Sequence, residues 1–249
     1  MIDFFLYLEN MKYITAELLV IAGYFNSYKS AMRKLSILRK QNILEAHNLY
    51  FGKRGRQRIV CTFTKKYLQN YSRRHKKIIV PNRILHALEI NRFFSLVMRN
   101  LREPYSFIYL PEHTLQVQRK AFFLISGQNY CYTDGIMSIT NNNTNKKALF
   151  TIEIDLGTEP LCIIRSKLEI YSLFNNSQEF RKYSEYFDYS FKGYRLLFVT
   201  KNQLRMDKIR EFSPPNVWLT TIDKIENILE PIWKVPGEDK LKKILREEV

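Results

Sequence analysis

Tyr132-Thr133-Asp134-Gly135-Ile136-Met137-Ser138-Ile139 is followed, after Asn141-Asn142-Asn143-Thr144-Asn145, by Ala148-Leu149-Phe150-Thr151-Ile152-Glu153-Ile154-Asp155. Both longer runs are rich in residues that favour strands, and the asparagine-rich segment between them is turn chemistry, so the pair reads as a β-hairpin. Side chains at i and i+2 of a strand point to one face. Glu153 and Asp155 therefore share a side near the strand end that Gly157 breaks. Asp134 sits on the preceding strand, just before Gly135, and a hairpin can bring the three carboxylates together. Converging acids repel unless cations stand among them or one keeps its proton. Mg²⁺ or Mn²⁺, hard and oxygen-seeking, suits such a set and would polarise a phosphodiester for attack by water. Acids at strand ends beside glycines are also common in a structural role, and spacing alone leaves both readings open.

Around the hairpin the pattern is mixed α/β. Residues 106–110, 194–200 and 217–221 read as strands. Residues 160–175 read as a helix with Lys167 and Tyr171 at i, i+4, and residues 201–212 as another. Upstream, a helix over about 82–100 carries Ile84, Leu88, Phe94 and Val97, with His86 and Glu89 three apart on one face and His86 in a structural role. Lys and Glu alternate from residue 236, which reads as an exposed helix or frayed end.

Charge is distributed unevenly. Residues 1–100 hold 19 Lys and Arg against 5 Asp and Glu, while residues 101–249 hold 21 against 19, so +14 of the net +16 belongs to the head. A pI near 9.7 favours a phosphate-rich partner, nucleic acid before membrane. No uncharged apolar run approaches the ~20 residues that span a bilayer. The N-terminal segment lacks the basic start of a signal peptide. Cys61, Cys131 and Cys162 form no CxxC pair, which argues against a disulfide framework or zinc ribbon and for reduced, mostly buried thiols. The expectation is a cytoplasmic protein with no membrane contact.

Within the head, residues 2–9 read as a short helix. Thr15 can cap a second helix with Leu18, Leu19 and Ala22 on its buried face, and Gly23 can end it. Asn26 or Ser27 can cap a third helix running to about residue 41, with Ala31, Leu35 and Leu38 as its core stripe. This is a helix–turn–helix whose second helix is basic. Residues 42–46 and 59–63 are strand-like and flank the glycine-rich basic tip Phe51-Gly52-Lys53-Arg54-Gly55-Arg56-Gln57-Arg58, a hairpin. Ser27, Tyr28, Lys29, Ser30, Arg33 and Lys34 on the helix, and Lys53, Arg54, Arg56 and Arg58 on the hairpin, are the candidate contacts to double-stranded DNA. The competing reading is a solvated basic face in a dimerisation module. Residues 73–80 form a basic connector ending at Pro81.

Helix–turn–helix plus such a hairpin resembles a winged-helix domain over residues 1–72. The helix, the hairpin with Asp then Glu-x-acid, the helix and the strand together resemble the PD-(D/E)XK endonuclease-like fold. With His86-Ala87-Leu88-Glu89-Ile90-Asn91 upstream and Lys167-Leu168-Glu169-Ile170-Tyr171 downstream, the chain resembles the replication-relaxation family of plasmids and integrative elements over roughly residues 10–222. The resemblance implies Asp134 and Glu153 as metal ligands. Asp155 stands where active nucleases of this fold often carry lysine, and Thr133 where proline often precedes the first acid. Lys167 is the lysine that could reach the site instead, with Arg119 and Lys120 as poorer substitutes.

The expected fold is an N-terminal winged helix-turn-helix (1–72), a connector (73–81), a restriction-endonuclease-like mixed α/β domain (82–235) and a charged tail (236–249). The expected function is DNA binding in mobile-element replication or transfer. A Mg²⁺- or Mn²⁺-dependent nickase or endonuclease would use Asp134, Glu153, Asp155 and Lys167, the three acids holding the metal. The alternative is a non-catalytic regulator or accessory factor with a degenerate nuclease fold; an RNA-directed nuclease is a third option. Four scattered histidines argue against a tyrosine-plus-three-histidine relaxase, and Tyr171 is read as packing rather than as a nucleophile. A homodimer and other replication or transfer proteins complete the expected partners.

Overall fold

A computed structural model describes residues 3–11, 13–51, 56–70, 81–112 and 132–245. Lys53, Arg54, the basic connector at 73–80, Arg119, Lys120, Cys131 and the end of the tail (246–249) lie outside the described residues. The fold is mixed α+β with two sheets, and the chain divides into two units, Met1–Arg99 and Asn100–Val249.

The first unit begins with α1 (Phe4–Asn10), α2 (Ala16–Ile21) and α3 (Tyr28–Lys40). Thr15 caps α2 as expected, its hydroxyl accepting from Leu18 N–H at 3.2 Å. Gly23 ends α2 with a φ of +82°, which lets the Tyr24 N–H reach back to the Leu19 carbonyl. Asn42 ends α3 in the same way, with φ +57° and the Ile43 N–H on the Leu38 carbonyl. The expected stripe Ala31, Leu35 and Leu38 is buried. Strands β1 (Leu44–Phe51) and β2 (Arg56–Phe63) pair antiparallel, longer than the sequence reading, with Phe51 opposite Arg56 at the tip. Ile14 adds to the outer side of β2 through two hydrogen bonds with Cys61.

After α4 (Lys65–Asn70) comes α5 (Pro81–Asn100). Ile84 and Leu88 on α5 pack with Tyr13, Leu18 and Val60. Asn91 donates to the Tyr13 carbonyl at 2.7 Å, and Ser95 meets the Tyr7 hydroxyl at 2.7 Å. These contacts bind α5 into the first unit, so the division falls after Arg99 rather than in the basic connector.

The second unit is built on a five-stranded sheet ordered β3 (Tyr105–Pro111), β4 (Gly135–Asn141), β5 (Lys146–Asp155), β6 (Arg195–Thr200) and β7 (Val217–Thr221). The first three are antiparallel, and β5, β6 and β7 are parallel. The expected hairpin is β4–β5. Helix α6 (Leu161–Asn176) crosses from β5 to β6; α7 (Tyr183–Phe187) follows it, and α8 (Gln203–Arg210) crosses from β6 to β7. Ile164, Leu168 and Phe174 of α6 and Met206 and Ile209 of α8 share one core with Leu149, Phe198 and Leu219 of the sheet, so both helices cover one face.

The tail departs from the sequence reading. To residue 245 it is neither helical nor frayed: Lys242 bridges Trp233, and Ile244 is buried. Apolar residues inserted among the charges anchor it. No helix among the described residues is long and apolar enough to cross a membrane.

Candidate functional site

Register brings the first two acids together. Gly135 pairs with Ile152 in the antiparallel β4–β5 ladder, which puts Asp134, one residue earlier, abreast of Glu153. Asp134 is locked there. Its N–H donates to the Ile152 carbonyl at 3.0 Å, and its Oδ2 accepts from the Ile154 N–H at 2.7 Å. The neighbouring Thr133 hydroxyl donates to the same Ile152 carbonyl at 2.8 Å. Both acids are buried, with Asp134 8% and Glu153 4% exposed.

Helix α6 supplies two groups to Glu153. Lys167 and Tyr171 stand one turn apart and therefore on one face. The Tyr171 hydroxyl donates to Glu153 Oε1 at 2.5 Å, and Lys167 Nζ lies 3.5 Å from Glu153 Oε2. Lys167 also lies 3.0 Å from Glu159 Oε2, so it is held between two carboxylates. The backbone carbonyl of Tyr171 accepts from the Tyr194 hydroxyl, which ties the helix to the chain just before β6.

The electrostatics are those of a buried, crowded carboxyl. Burial pushes Glu153 up to about 8; Lys167 opposes this, Asp134 adds to it, the Tyr171 hydrogen bond opposes it and Glu159 adds to it. Burial works against the Lys167 charge, but Glu153, Glu159 and Asp134 outweigh it and hold the ammonium well above its ordinary range. Burial thus favours the neutral form of Glu153, while the carboxylates around Lys167 favour its charged form. Tyr109 on β3 reports the same negative end: burial, then Asp134 and Glu112, hold its hydroxyl above the ordinary range. The Glu112 N–H donates to the Asp134 carbonyl at 3.2 Å.

Asp155 is engaged elsewhere. Arg205 on α8 grips both of its oxygens, Nε on Oδ2 and Nη2 on Oδ1, and Nη2 also reaches the Glu159 carbonyl. Asp155 Oδ1 further accepts from the Gly157 N–H at 2.9 Å. Gly157 has φ +81°, a conformation that favours glycine, and a Cβ there would meet the Lys201 side chain at 3.1 Å. The acid that the sequence reading put in the metal set therefore organises the loop from β5 to α6. Among the described residues no group of three or more His, Cys, Asp or Glu is arranged to hold a metal ion.

The basic helix of the first unit divides the sequence candidates. At ~100° per residue, Lys29, Arg33, Ser36 and Lys40 share the face opposite the core stripe, and all four are exposed. Tyr28 is also exposed. Ser27 and Ser30 form the cap of the helix: Ser27 Oγ accepts from the Ser30 N–H at 3.2 Å, and the Ser30 hydroxyl donates to the Ser27 carbonyl at 2.8 Å. Lys34 turns back onto the Phe4 ring, 5.7 Å from its centroid. Arg56 and Arg58 are placed by backbone alone, on β2 beside the hairpin tip.

The family model of replication-relaxation proteins matches residues 6–189. The chain belongs to the replication-relaxation family. No curated protein and no solved structure matches it. Membership suggests a role in the replication or transfer of a mobile element. The replication-relaxation match spans α3, Asp134, Glu153 and Lys167 and ends before Arg205.

For this replication-relaxation protein the donor set can be judged on its chemistry. Two buried carboxylates on paired strands fit a hard divalent ion, which binds through one or two carboxylates and leaves room for water and phosphate oxygens. Asp134 and Glu153 would hold it, and Asp155 is paired with Arg205. Sequence reasoning missed Arg205, Glu159 and Glu112. The only signal for Glu159 was its position eight residues before Lys167, and nothing local marked Arg205.

Proposed function

We propose that this replication-relaxation protein binds duplex DNA through helix α3 and the adjoining hairpin, and breaks a phosphodiester bond at the Asp134–Glu153–Lys167 site with Mg²⁺ or Mn²⁺. The helix pair α2–α3, the β1–β2 hairpin and the added Ile14 support reading the first unit as a winged helix. The antiparallel β3–β4–β5 followed by parallel crossovers supports reading the second as a PD-(D/E)XK-like body. One observation carries the catalytic reading: Lys167 Nζ is 3.5 Å from Glu153, so α6 brings a lysine to an acid whose own strand carries Asp155 rather than a lysine two residues on.

A bound divalent ion would supply Lewis acidity toward the phosphodiester. The rest falls to the chain. Asp134 is oriented by the Ile154 N–H and Glu153 by the Tyr171 hydroxyl. Lys167 brings a permanent positive charge to the place where phosphoryl charge develops. A cation held there would favour the ionised form of Glu153 that burial disfavours, which would couple metal binding to pH. Asp155 and Arg205 fix the loop that leads into α6 and so the height of Lys167 over the strand.

A second reading, a regulator that binds DNA without cutting it, draws support from one feature. Glu153 already has a charge partner in Lys167 and a hydrogen-bond donor in Tyr171. Mn²⁺ binding followed by electron paramagnetic resonance separates the two. On the catalytic reading the wild-type protein binds Mn²⁺ and the Asp134→Asn and Glu153→Gln variants lose it, while all three retard duplex DNA alike. Duplex retardation with no Mn²⁺ bound by the wild type would favour the regulator.

A further inference from the structure

Ile37 differs in chemistry from its neighbours on α3. At ~100° per residue it lies ~40° from Arg33 and ~60° from Lys40, and at least ~100° from each of Ala31, Leu35 and Leu38. It therefore faces outward with Lys29, Arg33, Ser36 and Lys40, and it is 44% exposed. On its other flank Lys34 lies over the Phe4 ring, 5.7 Å from the centroid. An apolar side chain alone on a surface is ordinary. This one is set among cations, on the face that the proposed function gives to DNA. The charges suit phosphate, and Ile37 does not. β-Branching also holds it close to one rotamer on a helix, so its methyl groups point one way with little entropy left to lose.

Helix α3 has 13 residues and is ~20 Å long, a length that fits along the major groove. Base edges there are mostly donors and acceptors, and an apolar group pressed on those leaves them unsatisfied. The apolar exception is the 5-methyl group of a pyrimidine, carried by thymine and by 5-methylcytosine. We infer that Ile37 reads sequence by packing on such a 5-methyl group, that of thymine in ordinary DNA, while Lys29, Arg33 and Lys40 hold the phosphates beside it. Ser36, small and on the same face, lets the helix come close to the bases. The inference rests on the proposed duplex binding by α3 and adds to it a specificity-determining residue that carries no charge.

The test uses the full chain as wild type and as Ile37→Ala. Alanine is the better helix former and the position is exposed, so the variant keeps its fold, which a thermal melt checks. The wild type first selects a site from a library of randomised duplexes. Each thymine of that site is then replaced in turn by deoxyuridine, which lacks only the methyl group, and each cytosine by 5-methylcytosine. Anisotropy gives the affinities. The inference predicts that deoxyuridine at one position weakens the wild type about threefold to fivefold, the worth of one methyl group in an apolar contact. Ile37→Ala should bind the parent site more weakly by a similar factor and be indifferent to that deoxyuridine. It should keep the salt slope of the wild type, because an apolar contact releases no counterions. A response of the wild type to 5-methylcytosine alone, absent from Ile37→Ala, supports the contact with that base as its source. Equal responses of the two proteins in both scans, or none in either, overturn the inference, as does a lower salt slope in Ile37→Ala. Matching scans together with a changed sedimentation coefficient in Ile37→Ala would give the residue to a second copy of the chain instead. A wild type that selects no duplex strikes the proposed function, and the reading of Ile37 falls with it.

Discussion

The ammonium of Lys167 on helix α6 stands 3.5 Å from the carboxylate of Glu153 on strand β5, although fourteen residues of chain separate them. The contact joins the first strand of a crossover to its helix. It puts a positive charge beside a buried acid whose strand neighbour, Asp134, is also an acid. Replacing Lys167 by Met removes the charge and keeps most of the stem. Metal-dependent nicking by the Lys167→Met variant is expected to fall by about a hundredfold or more, the usual cost of losing one group aimed at developing charge. Lys167→Arg should retain part of the rate. The check is the single-turnover rate on supercoiled plasmid with Mn²⁺. Equal rates for wild type and Lys167→Met would remove Lys167 from the chemistry.

Glu153 makes stability depend on pH in a particular direction. Its carboxyl is raised from 4.5 to about 8 on folding. Between those values the folded chain keeps a proton that the unfolded chain has shed, so each step up in pH costs stability. The penalty is absent below the unfolded value, grows across the window and is complete above pH 8. It amounts to roughly a few kcal/mol. Glu153→Gln removes it. Urea melts in EDTA should therefore show the variant gaining on wild type as pH rises from 5 to 8.5. Parallel pH profiles for the two proteins would contradict this assignment.

Asp155, which is buried, and the half-buried Arg205 form a pair with two hydrogen bonds between them. Truncating one partner leaves the other charge buried and alone, which typically costs about 3–5 kcal/mol. Arg205→Ala is expected to destabilise on that scale, and Arg205→Lys to recover little, because lysine cannot reproduce the two-pronged contact. Asp155→Asn should lower stability while leaving Mn²⁺ affinity near wild type. A loss of Mn²⁺ binding at unchanged stability would return Asp155 to the metal set.

The exposed face of α3 and its cap separate cleanly. Lys29→Ala and Arg33→Ala should each weaken duplex binding and reduce the salt slope by about one unit. Ser27→Ala should cost about 1 kcal/mol of stability through the lost N-cap and leave the salt slope unchanged. Anisotropy in a salt series and thermal melts measure both. A Ser27→Ala variant of normal stability that binds duplex poorly would make Ser27 a DNA contact.

What the sequence disclosed was what lies close along the chain or follows a period. Thr15 and Ser27 as caps, the Ala31–Leu35–Leu38 stripe, the β4–β5 hairpin and the Lys167–Tyr171 pairing are all local patterns, and all are present. The Asp155–Arg205 contact spans fifty residues and connects a strand end to a later helix, so no local period encodes it. The same holds for α5: its apolar residues were readable as a helix face, but not that Tyr13, Leu18 and Val60 were their partners. In the tail, alternating Lys and Glu masked the buried Ile244. Within the acidic site, i and i+2 periodicity put Glu153 and Asp155 on one side of the strand, and only the packed helices decide which cation each one meets.

The central claim is that Asp134 and Glu153, with Lys167 beside them, form a metal-dependent site for breaking DNA. Its most direct test incubates supercoiled plasmid carrying the cognate element's origin region with the protein and Mn²⁺ or Mg²⁺, alongside Glu153→Ala and an EDTA control. The account predicts open-circular product from wild type alone, with none in EDTA or with the variant. A plasmid that is retarded yet still supercoiled, identically for wild type and Glu153→Ala, would contradict it and leave a DNA-binding regulator whose acids are structural.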